Sequence, residues 1–255
     1  MVNNLIKFLY SIVFTTILFS FFNCYAKNES IPFTAQAWLI ADSSGKILHG
    51  ENTQDIRSIA SITKLMTVMV ILDANQPLDQ VISTKLHKKK LTRKELIDLA
   101  IIHSDNNAAK ILCEKYTTGL KGCVNSMNEK AKLLGMHNTF FVEPTGLYND
   151  NVSTAEELIK LVMAASKYPL IVEDSNIASI KFPTNKKKFI EFRNTNSLVG
   201  KDYKFIVSKT GFIRKSGGCI VMMLNTDHGI RTVVLLGSKN TKTRISEAKS
   251  IALAY

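Results

Sequence analysis

The chain has 255 residues, 45% of them hydrophobic, and a formal net charge of +12. That is enough apolar material to bury the core of one domain or of two closely packed subdomains, and too much for a disordered chain. The cations are lysines, 27 against 6 arginines, with no aromatic interleaving and no recognition motif, which speaks against a nucleic-acid partner.

Lys7, an apolar run from Phe8 to Phe22 and the stretch Asn23-Cys24-Tyr25-Ala26 read as an export signal over 1–26, cleaved after Ala26. The run is about 15 residues, short of the roughly 20 that a spanning helix needs. Asn23 stands where a lipid-attachment site wants a small residue. Export leads to an oxidising compartment, where Cys113, Cys123 and Cys219 are candidates for bonding, and three is an odd number. Cys113 and Cys123 flank a turn between two helical patterns. A disulfide and a pair of small buried thiols both fit.

Residues 34–42 and 46–51 read as strands joined in a hairpin at 42–45. Ile62, Leu65, Met66, Met69 and Leu72 then recur at helical spacing, and Pro77 stops the pattern. Six cations lie between Lys85 and Lys94, and Lys186-Lys187-Lys188 form a second run. Such runs are solvated lysine-rich faces, or they draw the protein weakly to an anionic wall polymer or membrane surface. Helical patterns follow at 93–103, 106–116, 123–134 and 154–166. The weakly patterned stretch 171–200 reads as a strand pair with loops. Strands at 205–212, 219–225 and 230–237 precede a closing helix at 242–254. Strands at both ends with helices between them predict an α/β (α+β) fold. Its antiparallel sheet comes from about 32–56 and 200–255, with an inserted helical subdomain at about 57–170 and a cleft where the two meet.

Three strings carry the chemistry: S-I-T-K at 61–64, S-D-N at 104–106 and K-T-G at 209–211. S-x-x-K also begins at Ser43 and Ser246, and S-x-N at Ser126 and Ser238, so neither means anything alone, whereas K-T-G occurs once. In this order they are the set used for acyl transfer by an active-site serine. A serine hydroxyl needs a base and donors for the oxygen that becomes negative. Ser61 at the start of a helix puts Lys64, three residues on, on the same face. Lys64 must be neutral to act, and burial together with Lys209 as a second cation would lower its pKa. Ser104 is a candidate to pass a proton to the leaving amine and Asn106 to hold a substrate amide, although S-D-N is more often a plain helix cap. Lys209 and Gly211 share one strand face, and the bare glycine would let a peptide lie alongside. Thr210 would bond a terminal carboxylate, and the Ser61 and Phe212 amides would receive the oxyanion. The five histidines show no metal-ligand spacing, and no glycine loop cradles phosphate, so no metal or other cofactor is expected.

Beyond these strings, R-S-I-A-S-I-T-K-L-M-T at 57–67, A-K-L-L-G-M-H-N-T-F-F-V-E-P-T-G-L at 131–147, N-V-S-T-A at 151–155, S-K-Y-P-L-I at 166–171, F-R-N-T-N-S-L-V at 192–199 and K-T-G-F at 209–212 resemble the serine D-alanyl-D-alanine peptidases. These are the low-molecular-mass penicillin-binding proteins, and the likeness is greatest to their endopeptidase branch. The resemblance spans essentially all of 34–254. It implies a β-lactamase/DD-peptidase-like fold for a catalytic domain at 27–255, and a periplasmic enzyme, soluble after signal cleavage, that hydrolyses peptidoglycan cross-links through an acyl-serine. Ser61 would be nucleophile, Lys64 base, and Ser104 the second catalytic element, with Asn106, Lys209, Thr210, Gly211 and Phe212 binding substrate and β-lactams acylating Ser61. The segment 76–94 looks shorter than in relatives, which would alter the cleft rim. With the resemblance running out at the closing helix, the extra β-rich domain and amphipathic tail of the carboxypeptidase branch are not expected, which favours a soluble, wall-facing enzyme. The alternatives are a carboxypeptidase, a serine β-lactamase using Glu143 to deacylate, and an inactive wall-binding homologue.

Overall fold

The computed structural model describes residues 33–83, 90–183 and 188–255. The expected signal at 1–26, positions 85–89 of the first basic run and Lys186-Lys187 of the second lie outside the described residues.

β1 (Ala37–Ala41) and β2 (Ile47–Glu51) form the expected hairpin. Asp42 closes it, its carboxylate accepting the Ser44 and Lys46 N–H groups at 2.9 and 3.1 Å. β3 (Arg57–Ser58) leads through a 3-10 turn at 60–62 into α1 (Thr63–Asp73). After the small hairpin of β4 (Val81–Ser83) and β5 (Lys90–Thr92), Thr92 and Glu95 exchange the two bonds of a capping box and start α2 (Arg93–Ile101). The helices α3 (Asn106–Glu114) and α4 (Gly119–Leu133), the strand β6 (Val152–Ser153), and the helices α5 (Ala155–Ala165) and α6 (Pro169–Asp174) follow. A strand pair, β7 (Ser179–Pro183) and β8 (Phe189–Arg193), occupies the weakly patterned stretch. The chain closes with β9 (Phe205–Ile213), β10 (Gly217–Thr226), β11 (Gly229–Ser238) and α7 (Thr243–Ala254).

Five strands make one antiparallel sheet in the order β2-β1-β11-β10-β9, so both ends of the described chain build it, as expected. Strand periodicity divides its side chains between two cores. Trp38, Ile40, Ile220, Met222, Val233 and Leu235 meet Ala248, Ile251 and Ala252 of α7 on one face. Ala37, Leu39, Val221, Val234 and Leu236 face the helices on the other. Because both faces are covered, β1 is buried at every residue.

The one-sided apolar pattern expected of α1 understates its burial. Thr63 to Ile71 are all buried, because α2, α3, α4 and α5 surround this helix. Cys113 of α3 and Cys123 of α4 are joined in a disulfide, with Cα atoms 5.3 Å apart, and Cys219 is a buried free thiol. A cross-link closing a loop of this length contributes about 3 kcal/mol. Among the described residues no helix is long and apolar enough to cross a membrane.

Candidate active site

Ser61 sits in the 3-10 turn before α1 rather than at an α-helical start. The reason is crowding. Ala60 adopts φ +47°, and its turn is pressed between two glycines. A Cβ on Gly146 would come within 2.0 Å of the Ala60 carbonyl oxygen, and one on Gly211 within 2.9 Å of the Ser61 nitrogen. The bare face of Gly211 is therefore occupied by the serine turn rather than left for a ligand. Gly146 also stands at φ +80°, so Gly146→Ala combines a clash with a strained backbone. We expect it to cost about 3 kcal/mol in urea unfolding and to slow modification of Ser61.

Lys64 is wholly buried and uses its ammonium fully: Nζ donates to Ser61 Oγ at 2.9 Å, Asn106 Oδ1 at 2.7 Å and the Thr145 carbonyl at 2.6 Å. Burial holds its pKa down at about 7, against the opposing pull of the Glu143 and Asp105 carboxylates. Deprotonation leaves two N–H groups and one lone pair. Asn106 Oδ1 and the Thr145 carbonyl can only accept, so the lone pair faces the Ser61 hydroxyl. The amine is thereby a base aimed at one oxygen.

Lys209 on β9 is buried beside this pair. Its Nζ donates to Ser104 Oγ at 2.8 Å and to the Thr210 carbonyl at 2.9 Å. Burial, then repulsion from Lys64 and Arg244, hold its pKa well below the ordinary lysine value. Burial is the first cause at both lysines, and the repulsion between the two cations, which is mutual, adds to it. The S-D-N string does both things its residues allow. Asp105 caps α3 by accepting the Ala108 N–H at 2.9 Å, while Ser104, at φ +60°, and Asn106 reach the two lysines.

β9 is an edge strand. Ser208 turns its N–H away from β10 to Ser175 Oγ at 3.0 Å, and antiparallel alternation places the Phe212 N–H on the same open edge. The Phe212 ring is largely exposed there. The Thr210 hydroxyl donates to Thr195 Oγ1 at 2.7 Å, and Arg244 Nη1 holds the Gly211 carbonyl at 2.6 Å. His103 lies outside the constellation, with Nδ1 3.1 Å from the Arg193 carbonyl and its ring edge on Phe192.

Four contributors went unassigned in the motifs. Glu143 accepts the N–H groups of Thr145, Gly146 and Leu147 at 2.6, 2.6 and 3.1 Å, so it shapes the loop that offers the Thr145 carbonyl to Lys64. Asn151 braces that loop from inside, donating to the Glu143 carbonyl at 2.8 Å and to Thr63 Oγ1 at 3.1 Å. Thr195 and Arg244 support β9. The string E-P-T-G-L contained the signal for Glu143, since a carboxylate three residues before a turn glycine is a natural acceptor for the N–H groups of that turn. Nothing in the local sequence marks Arg244.

A serine aligned with a buried lysine, a second serine–lysine pair beside it and an open strand edge, on a sheet flanked by helices, define a serine acyl-transfer enzyme. The model of the family described as D-alanyl-D-alanine carboxypeptidase matches residues 25–240, and the chain belongs to this family of serine-type D-alanyl-D-alanine peptidases. It is 35% identical over 237 residues to a D-alanyl-D-alanine endopeptidase of Escherichia coli, covering 86% of this chain and 76% of that protein. A D-alanyl-D-alanine endopeptidase of Pseudomonas aeruginosa is 35% identical over 227 residues, covering 82% and 73%. Among solved structures, a variant of a Streptomyces DD-transpeptidase superposes with a TM-score of 0.79 at 25% identity, over 86% of this chain and 96% of that one. A penicillin-binding protein from Listeria monocytogenes in its cefotaxime-bound form shares the fold, with a TM-score of 0.74 at 24% identity over 86% and 96%.

Proposed function

We propose that this protein is a D-alanyl-D-alanine endopeptidase of the periplasm, exported by its first 26 residues, that opens peptide cross-links in peptidoglycan. The observation that carries the mechanism is the set of three acceptors around Lys64, which leaves the neutral amine one direction for its lone pair. Ser61 Oγ attacks the D-alanyl carbonyl carbon and its proton passes to Lys64 Nζ. The oxyanion is received by the Ser61 and Phe212 N–H groups. As the C–N bond breaks, the leaving amine takes a proton from the Ser104 hydroxyl, which Lys209 resupplies across their 2.8 Å bond. Water then attacks the ester carbonyl: as the C–O bond breaks Lys64 returns its proton to Ser61 Oγ, one water proton restores Lys209, and the other is released as the product ionises to a carboxylate. The substrate peptide lies along the edge of β9 as an added strand. The Asn106 side-chain amide and the Thr210 hydroxyl are its polar anchors, and Gly211 lets the serine turn sit close to it. The likeness at 35% identity to two D-alanyl-D-alanine endopeptidases supports cross-links rather than free termini as the substrate of this protein.

Because β-lactams present a reactive amide to the same serine, a fluorescent penicillin is expected to label the protein stoichiometrically on Ser61 and to stay bound for many minutes. Rapid turnover of the drug marks a β-lactamase instead, and a native protein that takes no label overturns the acyl-serine reading. Cross-linked muropeptide dimers are expected to be cleaved faster than pentapeptide monomers lose their terminal D-alanine. The reverse order assigns a carboxypeptidase. Glu143 accepts three N–H groups of its own loop, an arrangement that suits a structural carboxylate better than an activator of water.

A further inference from the structure

Behind the Ser104 loop, α2 and α6 meet at two acids. Asp174 is fully buried, and neither of its carboxyl oxygens receives a hydrogen bond from an N–H or O–H among the described residues. The carboxyl of Asp98, itself 9% exposed, lies within hydrogen-bonding reach of it. Two buried carboxylates in contact repel, whereas a single proton between them turns the contact into an acid–carboxylate hydrogen bond. Lys94 Nζ donates to both Asp98 oxygens, at 3.0 and 3.1 Å, so the negative charge rests on Asp98 and the proton on Asp174. Burial, then the Asp98 carboxyl, push the Asp174 pKa up to about 8. Lys94 and Glu95 from α2 and Glu173 from α6 are the other charges facing the pair. On β9, packed against α6, the ionisable side chain is Lys209, which is directed to Ser104.

The acids join the two halves of the site. At the end of α2 the Asp98 carbonyl accepts the Ile102 N–H at 2.9 Å and the Leu99 carbonyl accepts the Asp105 N–H at 3.0 Å, closing the turn that presents Ser104. Asp174 is followed by Ser175, whose Oγ takes the Ser208 N–H at 3.0 Å, one residue before Lys209. We propose that Asp98 and Asp174 are a positioning pair whose one shared proton clamps the helix leading to Ser104 against the strand carrying Lys209, and whose deprotonation loosens the Lys209–Ser104 contact. This rests on the acyl-serine reading above.

The test compares wild type with Asp174→Asn, whose amide donates permanently to Asp98. In wild type, penicillin acylation is expected to fall about tenfold per pH unit above about 8. In Asp174→Asn that fall moves up by a unit or more, with the rate near pH 7 changed less than about twofold. A merely structural role would scale the rate equally at every pH. Infrared spectroscopy of wild type is expected to show a buried carboxylic-acid carbonyl band near pH 6 that vanishes by about pH 9. An identical acylation profile in the variant overturns the clamp. A missing acid band overturns it too, and needs no folded variant. A chain that shows the band but takes no penicillin at any pH instead overturns the acyl-serine reading, and the two failures are thus distinguishable.

Discussion

Ser61→Ala is expected to abolish cleavage of cross-linked muropeptides, by at least about 10⁴-fold, and to remove the penicillin adduct entirely. The hydroxyl is the atom on which Lys64 converges, and neither Lys64 nor Lys209 can replace it, since both are buried with their amines bonded to other groups. Stability should change little, because Ser61 is only partly buried and its hydroxyl bond to Lys64 is one of three. Thermal unfolding beside turnover of purified dimers makes the check. Undiminished hydrolysis in a folded variant would contradict the assignment of Ser61.

The second large effect is expected from Lys64→Arg. The guanidinium keeps the positive charge but cannot release its proton at any working pH. It also offers a fork where Asn106 Oδ1, the Thr145 carbonyl and Ser61 Oγ surround a single nitrogen. Acylation should fall by about 10³-fold or more at every pH. In wild type the acidic limb should rise through about pH 7 as Lys64 loses its proton, and in the variant that limb should be absent. The folded amine holds its proton less tightly than the unfolded one. Folding stability due to this residue should therefore rise with pH from about 7 towards the ordinary lysine value, a slope that Lys64→Met would erase. Stopped-flow acylation and urea titrations across pH separate the two readouts.

Much of this architecture was legible in the sequence. β1, β2 and the closing strands announced themselves by apolar runs set off by turn residues, and α2 to α5 by helical periodicity, because those signals are local. α6 is six residues long inside a weakly patterned stretch, too short for periodicity to register. The tight turn under Ser61 was hidden for a different reason. It depends on Gly146 and Gly211 arriving from distant parts of the chain, and the same long-range packing buries α1 on all sides. Within the site the three motifs named the groups that meet at Ser61, yet they could not say which partner each would take. That Lys64 meets a backbone carbonyl, or that Gly211 serves the serine turn, follows from tertiary contact alone.

Robustness and reactivity pull apart where the two amines are sunk. Lys64 and Lys209 are withdrawn from water in one small region, and each is held below the protonation strength it would have in solution. Apolar side chains of similar length would fit those spaces without the solvation penalty, so a hardier and inert version of this scaffold lies only two exchanges away. A screen for heat tolerance alone would drift towards it.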